Sequence, residues 1–368
     1  MSGDLLSPLW ADPAWRPALG AAGWEALLGQ ARRARLLPRL ALHIEQRGWM
    51  ADVPAGPRRH LQASLPVAER QRHEVRWEVD RIRRALASVD TPVVLLKGAA
   101  YVAAGLPPAP GRLFSDIDIL VDRRRLDEVE LALRAHGWVQ LDRDPYDDRY
   151  YRRWMHELPP MRHAVRGTNL DVHHTLTAPT SRFAVDGQRL LADIRPLAGP
   201  PGLFVLSPTD MVLHSAVHLF QEGEFDHGLR DLLDMNDLVR HHAAEPGFWP
   251  DLVQRAHDLG LQVPLSHALT HLARLFGTRA PEALALAPSL RTLDPHPLRR
   301  RAMAALLTLA LRPNHPSCRH PLAPAARGWL YLRSHWLRMP APLLVWHLGR
   351  KLLRRAGGGP QARAPQAR

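Results

Sequence analysis

The strongest constraint on the fold is a change of hydrophobic period at Thr91. Before that residue, residues 21–47 and 57–89 place apolar side chains three and four positions apart, which predicts amphipathic helices. From Thr91 onward, short β-branched and leucine runs are closed by glycine or proline, which predicts strands. Helical periodicity returns beyond Pro179 and continues to about Arg355. The sequence therefore predicts an α+β protein, a small mixed-sheet core flanked by N-terminal and C-terminal helical regions.

The same changes divide the chain into four predicted parts, as expected for a length of 368 residues, which is too long for one ordinary core. Residues 1–90 form an N-terminal helical region and residues 91–178 an α/β core. Residues 179–356 form a C-terminal helical domain. The final segment, residues 357–368, is rich in glycine and proline and is predicted to be disordered.

Composition indicates a folded protein, because 46% of the residues are hydrophobic and 23% are charged, far from the profile of disordered chains. The formal net charge is +13, and its placement is uneven. Residues 291–368 contain 15 Arg or Lys against one acid, Asp294. This basic region suits an anionic surface, either lipid or nucleic acid, or an acidic partner, although a plain solvated helix face is the commoner explanation.

The expected location is cytoplasmic. The single cysteine, Cys318, cannot form an internal disulfide, the first residues lack the pattern of a secretory signal, and no apolar run approaches the length of a membrane span.

Within the core, the first strand is followed by four more stretches with the strand pattern. TPVVLLKG (91–98) predicts a buried strand and AAYVAAG (99–105) a short helix. FSDIDILV (114–121) alternates polar and apolar residues, which predicts a strand with one wet face, and Asp122 is predicted to cap a helix that ends at Gly137. Further strands are expected at residues 138–141, 150–156 and 169–176.

Asp116 and Asp118 project from the same face of the predicted strand, about 7 Å apart from the rise per residue. Two neighbouring carboxylates repel each other unless a cation lies between them, and a hard divalent ion with oxygen ligands relieves that repulsion. Ile117, Ile119 and Val121 point to the opposite side and can anchor the strand in a core. An Asp-x-Asp pair on a solvated strand needs no metal, so the pair alone does not decide between the two interpretations.

The arrangement around this pair resembles a known motif. Leu96-Lys97-Gly98, a short helix, a turn and then Arg112-x-x-Ser115-Asp116-Ile117-Asp118-Ile119-Leu120-Val121 are similar to the core of the DNA polymerase β-like nucleotidyltransferase superfamily, and to its bacterial group of uncharacterised nucleotidyltransferases. Residues 24–40 and 230–238 also fit the helical flanks of that group.

The resemblance implies a nucleotidyltransferase that uses Mg²⁺ or Mn²⁺ and a nucleoside triphosphate (NTP). Asp116 and Asp118 would hold both metal ions and Asp171, mid-strand in NLDVHH, would complete the catalytic site. Lys97, Gly98, Arg112 and Ser115 would bind the nucleotide, Gly98 through backbone amides at a helix start. Lys97 and Arg112 suit structural ion pairs as well as phosphate.

One position departs from the motif. Ala99 follows Gly98 where the superfamily commonly has serine, and the spacing from Gly98 to Asp116 is longer than is common. A catalytically silent nucleotide-binding accessory or regulatory protein is therefore an alternative hypothesis. A peripheral membrane or nucleic-acid binding protein that uses the basic C-terminal helices is another. The acceptor, the NTP and the oligomeric state are not indicated by the sequence.

Histidine pairs offer weaker signals. His214 and His218 are four residues apart on a predicted helix, which is a spacing that zinc pairs use, but no third ligand is evident. Packing, or contact with the core, is the preferred interpretation. His173 shares its strand face with Asp171 and is expected to orient a carboxylate, to touch the acceptor or simply to pack.

Overall fold

A computed structural model describes residues 3–12, 14–16, 18–141, 151–152, 154–221, 223–281 and 296–339. Within these residues the chain forms thirteen α-helices and one seven-stranded mixed sheet, with helices on either side of the sheet in the sequence. The predicted α+β class is confirmed.

The N-terminal region is helical, as the apolar periodicity predicts. Its helices are α1 (Ser7–Ala11), α2 (Ala21–Arg33), α3 (Leu37–Gln46) and α4 (Ala55–Ala85). Helix α2 ends in a Schellman motif, because the Leu36 N–H donates to the Ala31 carbonyl across a left-handed residue, Arg35 (φ 54°). This turn directs the chain into α3, which has Pro38 in its first turn.

The strands of the sheet lie in the order β3-β4-β5-β2-β1-β7-β6. They are β1 (Val93–Leu95), β2 (Ile117–Leu120), β3 (Trp138–Gln140), β4 (Met161–His163), β5 (Asn169–His173), β6 (Arg195–Pro196) and β7 (Leu203–Val205). At the centre β2 runs antiparallel to β1 and parallel to β5. Because β2 has neighbours on both sides and all four of its residues are buried, it lies in the core of the molecule.

Short helices connect the central strands. Helix α5 (Lys97–Ala103) follows β1, and α6 (Leu126–Ala135) follows β2 after a 3₁₀ turn at Arg123–Arg125. The predicted cap is present: the Asp122 carboxylate accepts from the Arg124 N–H. Gly137, with φ 86°, ends the α6 segment in the left-handed conformation.

Two local predictions are wrong. In place of the strand predicted at residues 150–156, Tyr151, Arg152 and Trp154 are helical and His156 lies in a bend; Tyr150 lies outside the described residues. Aromatic and basic residues in a short segment do not distinguish a helix from a strand, and tertiary packing decides between the two. The helical periodicity predicted beyond Pro179 is also interrupted, because β6 and β7 follow and β7 pairs with β1.

The C-terminal helices begin at the predicted Ser207-Pro208 start, where the Asp210 N–H donates to the Ser207 hydroxyl at 3.4 Å. The remaining helices are α7 (Gly187–Leu191), α8 (Pro208–Gln221), α9 (Gly228–His242), α10 (Phe248–Asp258), α11 (Gln262–Phe276), α12 (Pro297–Ala310) and α13 (Ala323–Arg338).

One apolar cluster joins the N-terminal helices, the sheet and the C-terminal helices. Among the described helices, none combines the length and apolar character that crossing a membrane demands. The division at residues 90, 178 and 356 stays a prediction, and residues 357–368 lie outside the described part.

Candidate active site

The parallel pairing of β2 with β5 brings the predicted carboxylates together. Asp118 and Asp171 are directly paired across the two strands, so their side chains share one face of the sheet. Asp116 directly precedes β2, two residues before Asp118. Asp116 is exposed, Asp171 is half-buried and Asp118 is buried. The carboxylates therefore extend from the interior of the sheet to its surface.

The wet strand face expected for residues 114–121 is absent at Asp118, which is only 6% exposed. Its Oδ1 accepts from Lys97 Nζ at 3.2 Å and from His173 Nε2 at 3.1 Å. Burial opposes ionisation of Asp118, but the charge of Lys97, the hydrogen bond from His173 and the nearby His218 outweigh it. They hold the pKa of Asp118 well below its usual value. Asp118 is thus an ionised carboxylate in the protein interior.

The turn that carries Lys97 is strained. Lys97 has φ 44°, a left-handed conformation that is uncommon for a residue with a side chain. Gly98 follows it in a crowded position: an added Cβ would meet the Arg112 guanidinium and come within 2.9 Å of the Phe114 ring. The glycine therefore permits Arg112 to pack directly against the backbone at the start of α5.

Arg112 and Lys97 both form ion pairs, which the sequence left open. The Nε of buried Arg112 donates to Asp234 Oδ2 at 2.8 Å, and Arg39 donates to Asp234 Oδ1 at 3.0 Å. Burial disfavours the charge on Arg112, yet Asp234 and Asp231 raise its pKa above the usual value. The carboxylate of Asp234 therefore joins α3, the loop before β2 and α9.

These residues surround a small cleft between the sheet and the C-terminal helices, with a volume of about 80 Å³. Six of the seven predicted site residues line it, the exception being Asp171. The lining from the core and from α8 and α9 consists of Lys97, Gly98, Tyr101, Arg112, Ser115, Asp116, Asp118, Ser215, His218, Arg230, Asp231 and Asp234. Acidic and basic side chains thus meet within one depression.

Asp116 also borders a second depression. The exposed Ser115 hydroxyl donates to Asp116 Oδ1 at 3.0 Å, and both residues line a volume of about 140 Å³ beside α4. Gln71 from α4 lines this depression and accepts from the Phe114 N–H at 3.0 Å. Asp116 therefore lies between two separate spaces.

The structure contains a group that the sequence pattern did not reveal. His156, Glu157 and His173 bring potential metal-ligand atoms within 4.8 Å of one another. Glu157 lies next to His173 because an isolated bridge pairs the two residues. The sequence pointed only to His173, which shares a strand face with Asp171. His156 was expected to be the last residue of a strand, and nothing marked Glu157, so no sequence pattern indicated that these two residues lie beside His173.

His214 and His218 do not join a cluster of three metal-binding side chains within the described ranges. His214 is buried, and burial together with the charge of Lys97 holds its pKa well below the usual value. His218 lines the cleft beside Asp118. Packing and contact with the core describe this pair better than zinc binding.

A larger cavity, of about 720 Å³, lies away from the carboxylates. Its lining includes Arg123, His174 and Thr175, which follow the C-terminal ends of β2 and β5. Because these strands are parallel, Asp116 lies at the opposite ends of the strands. Size alone therefore does not identify the site.

Comparison with known proteins gives a family match. A family model described as "Uncharacterised nucleotidyltransferase" matches residues 20–277, from the start of α2 to the end of α11. No curated protein and no solved structure matches the chain. The matched range contains every residue of the cleft.

Proposed function

The chain belongs to this family of uncharacterised nucleotidyltransferases, and on that premise we propose that it transfers a nucleoside monophosphate from an NTP to an acceptor hydroxyl. The observation that carries the proposal is the pairing of Asp118 with Asp171 on adjacent parallel strands, beside the cleft that contains Asp116.

The donor set fits hard divalent cations, because Asp116, Asp118 and Asp171 present carboxylate oxygens and Asp118 is ionised in spite of its burial. Mg²⁺ or Mn²⁺ held by these residues would stabilise the charge that develops on the phosphoryl oxygens. Asp171, at the paired position, would complete this set and accept the proton of the attacking hydroxyl.

The basic side chains of the cleft suit the triphosphate. Lys97 Nζ already lies 3.2 Å from a carboxylate oxygen, so its ammonium group can bind a phosphate oxygen when cations neutralise Asp118. Arg230 from α9 also lines the cleft. Arg112 has its Nε bound to Asp234, so we assign it chiefly to shaping the floor beneath Gly98.

Size limits what the cleft holds. The cleft volume of about 80 Å³ is small for a whole nucleotide, so we place the phosphate groups in the cleft and the nucleoside toward solvent. The second depression, which shares Ser115 and Asp116 with the cleft, would admit the acceptor. In-line attack would then bring the acceptor hydroxyl to the α-phosphorus opposite the leaving pyrophosphate.

The test is transfer of the label from α-labelled NTPs to an acceptor, with release of unlabelled pyrophosphate, in the presence of Mg²⁺ and of extracts or candidate acceptors. Asp116→Asn and Asp118→Asn should abolish labelled product, since each removes a charge that holds the cations. Asp127→Asn on α6 is the matched control, because this aspartate side chain is fully exposed, and it should keep full activity. Equal turnover in Asp118→Asn and the unmodified protein would refute the proposal.

A silent nucleotide-binding protein is the second candidate. Asp118 is already compensated by Lys97 and His173 without a cation, and Ala99 supplies no hydroxyl after Gly98. Calorimetric binding of NTP that is weakened by Lys97→Ala, with no transfer to any acceptor, would favour this candidate over the enzyme.

The basic C-terminal region supports a third candidate, binding to an anionic surface such as lipid or nucleic acid. On α13, the apolar side chains Trp329, Leu332 and Trp336 are about half exposed, at helical spacing. A truncation that removes residues 320–368 should weaken binding to anionic vesicles or DNA, and salt should weaken it in the full chain. Unchanged binding after truncation excludes this role.

A further inference from the structure

The histidine and glutamate cluster beside Asp118 has the side-chain types of a metal site. His156 is 9% exposed and His173 is 3% exposed, while the Glu157 side chain is 16% exposed. Imidazole nitrogens and a carboxylate are held together in the interior by the bridge between Glu157 and His173. Two imidazoles and one carboxylate are a ligand set that zinc sites use.

His173 lies between two carboxylates. Its Nε2 is 3.1 Å from Asp118 Oδ1, which is hydrogen-bond distance. The other ring nitrogen, Nδ1, lies 3.5 Å from Glu157 Oε2. Each ring nitrogen of His173 therefore has a carboxylate oxygen beside it, so a cation bound at Nδ1 would be shared with Glu157 while Nε2 contacts Asp118.

The distances suit a small ion. Metal–ligand bonds of about 2.0–2.2 Å place the ligand atoms of a tetrahedral zinc ion about 3.4 Å apart. The corresponding separations here are 3.5 Å from His173 Nδ1 to Glu157 Oε2 and 3.9 Å from His156 Nε2 to the same oxygen. The potential ligand atoms of the three side chains all lie within 4.8 Å of one another, so small side-chain movements would bring them to coordination distance from one ion.

We propose that His156, Glu157 and His173 bind a divalent transition-metal ion of the zinc class, separate from the cations of the nucleotide cleft. Asp118 acts as the outer partner that orients His173, in the carboxylate–histidine–metal arrangement common in zinc proteins. The imidazole ligands select this class over Mg²⁺, which prefers oxygen and retains several waters.

Such an ion would fasten residues 156–157 to β5 and would hold His173 against Asp118. The site would therefore set the position of a carboxylate in the cleft from outside the cleft. The metal bound there can be measured directly, without any nucleotidyl-transfer activity.

The experiment is titration of the metal-free full chain with Co²⁺, followed by absorption in the visible range, and competition with Zn²⁺ and with excess Mg²⁺. We expect one Co²⁺ per chain with a d–d spectrum, displacement by Zn²⁺ and no displacement by Mg²⁺. His173→Gln and His156→Gln should lose this band. His174→Gln is the matched control, because His174 is a buried neighbour whose ring bonds the Met155 carbonyl outside the cluster.

Two conservative variants keep the test decisive if a histidine variant misfolds. Glu157→Gln should lower Co²⁺ affinity strongly, and Asp118→Asn should lower it about 10- to 100-fold by removing the outer partner. Absence of stoichiometric Co²⁺ and Zn²⁺ binding by the folded chain, or binding that survives all of these substitutions, would overturn the metal site. Either result leaves the pyrophosphate assay free to succeed or fail on its own.

Discussion

At the scale of single residues, the site depends on close approaches that leave no room for change. Lys97 adopts a left-handed backbone conformation, and Gly98 beside it has no space for a side chain. Strained residues of this kind persist where the surrounding structure holds them, and they are frequent at functional sites. The Lys97-Gly98 pair is therefore fixed by contacts with Arg112, Phe114 and Asp118.

Gly98→Ala tests this packing. The new Cβ meets Arg112 and Phe114, so we expect a loss of about 1–3 kcal/mol in the free energy of unfolding, together with weaker NTP binding. Gly56→Ala on α4 is the control, since a Cβ added there would have no atom within 4 Å and stability should hold or rise. Urea denaturation of both variants gives the comparison, and an equal effect at both positions would contradict the crowding.

A second prediction at this scale concerns the pH dependence of stability at His43. Burial, assisted by the charge of Arg47, lowers the pKa of His43 to about 4. In the unfolded chain a histidine has a pKa near 6.5, so between pH 6.5 and pH 4 the unfolded state binds more protons at His43 than the folded state does. His43 therefore lowers the free energy of unfolding as pH falls from about 6.5 toward 4, and it has no such effect above pH 6.5. His43→Phe should keep the contacts with Trp10 and Trp49 and reduce the loss of stability between pH 7 and pH 5. Parallel pH profiles for both proteins would refute this assignment.

At the scale of the elements, the turn between α2 and α3 is strained. Arg35 occupies the left-handed position of a Schellman motif, where glycine is usual. Burial and the charge of Arg230 lower the pKa of Arg35, while Asp116 opposes that effect, so its guanidinium lies in the electrostatic field of the cleft. We infer that Arg35 adds positive charge near the cleft while it strains the turn.

Arg35→Gly should therefore raise the free energy of unfolding by about 1 kcal/mol, because glycine adopts this conformation without strain. Arg35→Ala is the matched control, since it removes the same charge but keeps the Cβ. Thermal denaturation should place Arg35→Gly above Arg35→Ala, and NTP affinity should fall equally in both. A stability order in the opposite direction would show that the turn is not strained.

At the scale of the whole molecule, one buried carboxylate connects three regions. Asp234 on α9 binds Arg39 from α3 and Arg112 from the loop before β2, and Arg39 also pairs with Asp237. The cleft lies beside this network, so the helical flanks and the sheet share the residues that define its walls.

Asp234→Asn should cost about 3–5 kcal/mol in the free energy of unfolding, because it leaves two buried guanidinium groups without their shared charge. Asp237→Asn is the control, because the Asp237 side chain is 22% exposed and pairs with Arg39 but not with Arg112. The free energy of unfolding should therefore fall less in this variant than in Asp234→Asn. Chemical denaturation measures both, and equal losses would argue against a shared role for Asp234.

The sequence by itself determined the helical N-terminus, the strands β1, β2, β3 and β5, the cap at Asp122 and the start at Ser207, because each depends on periodicity or capping chemistry within a few residues. It also indicated the acidic pair and a third carboxylate by resemblance. It missed the short strands β4, β6 and β7, which form by pairing with other segments of the chain.

Only the tertiary structure decided the environment of these groups. Asp118 is buried, and Lys97 at the start of α5 and His173 on β5 both contact it. Glu157 pairs with His173 through a bridge, which brings His156 close as well. Charge, burial and metal affinity depend on neighbours in space, and periodicity along the chain carries no information about which distant segment supplies them.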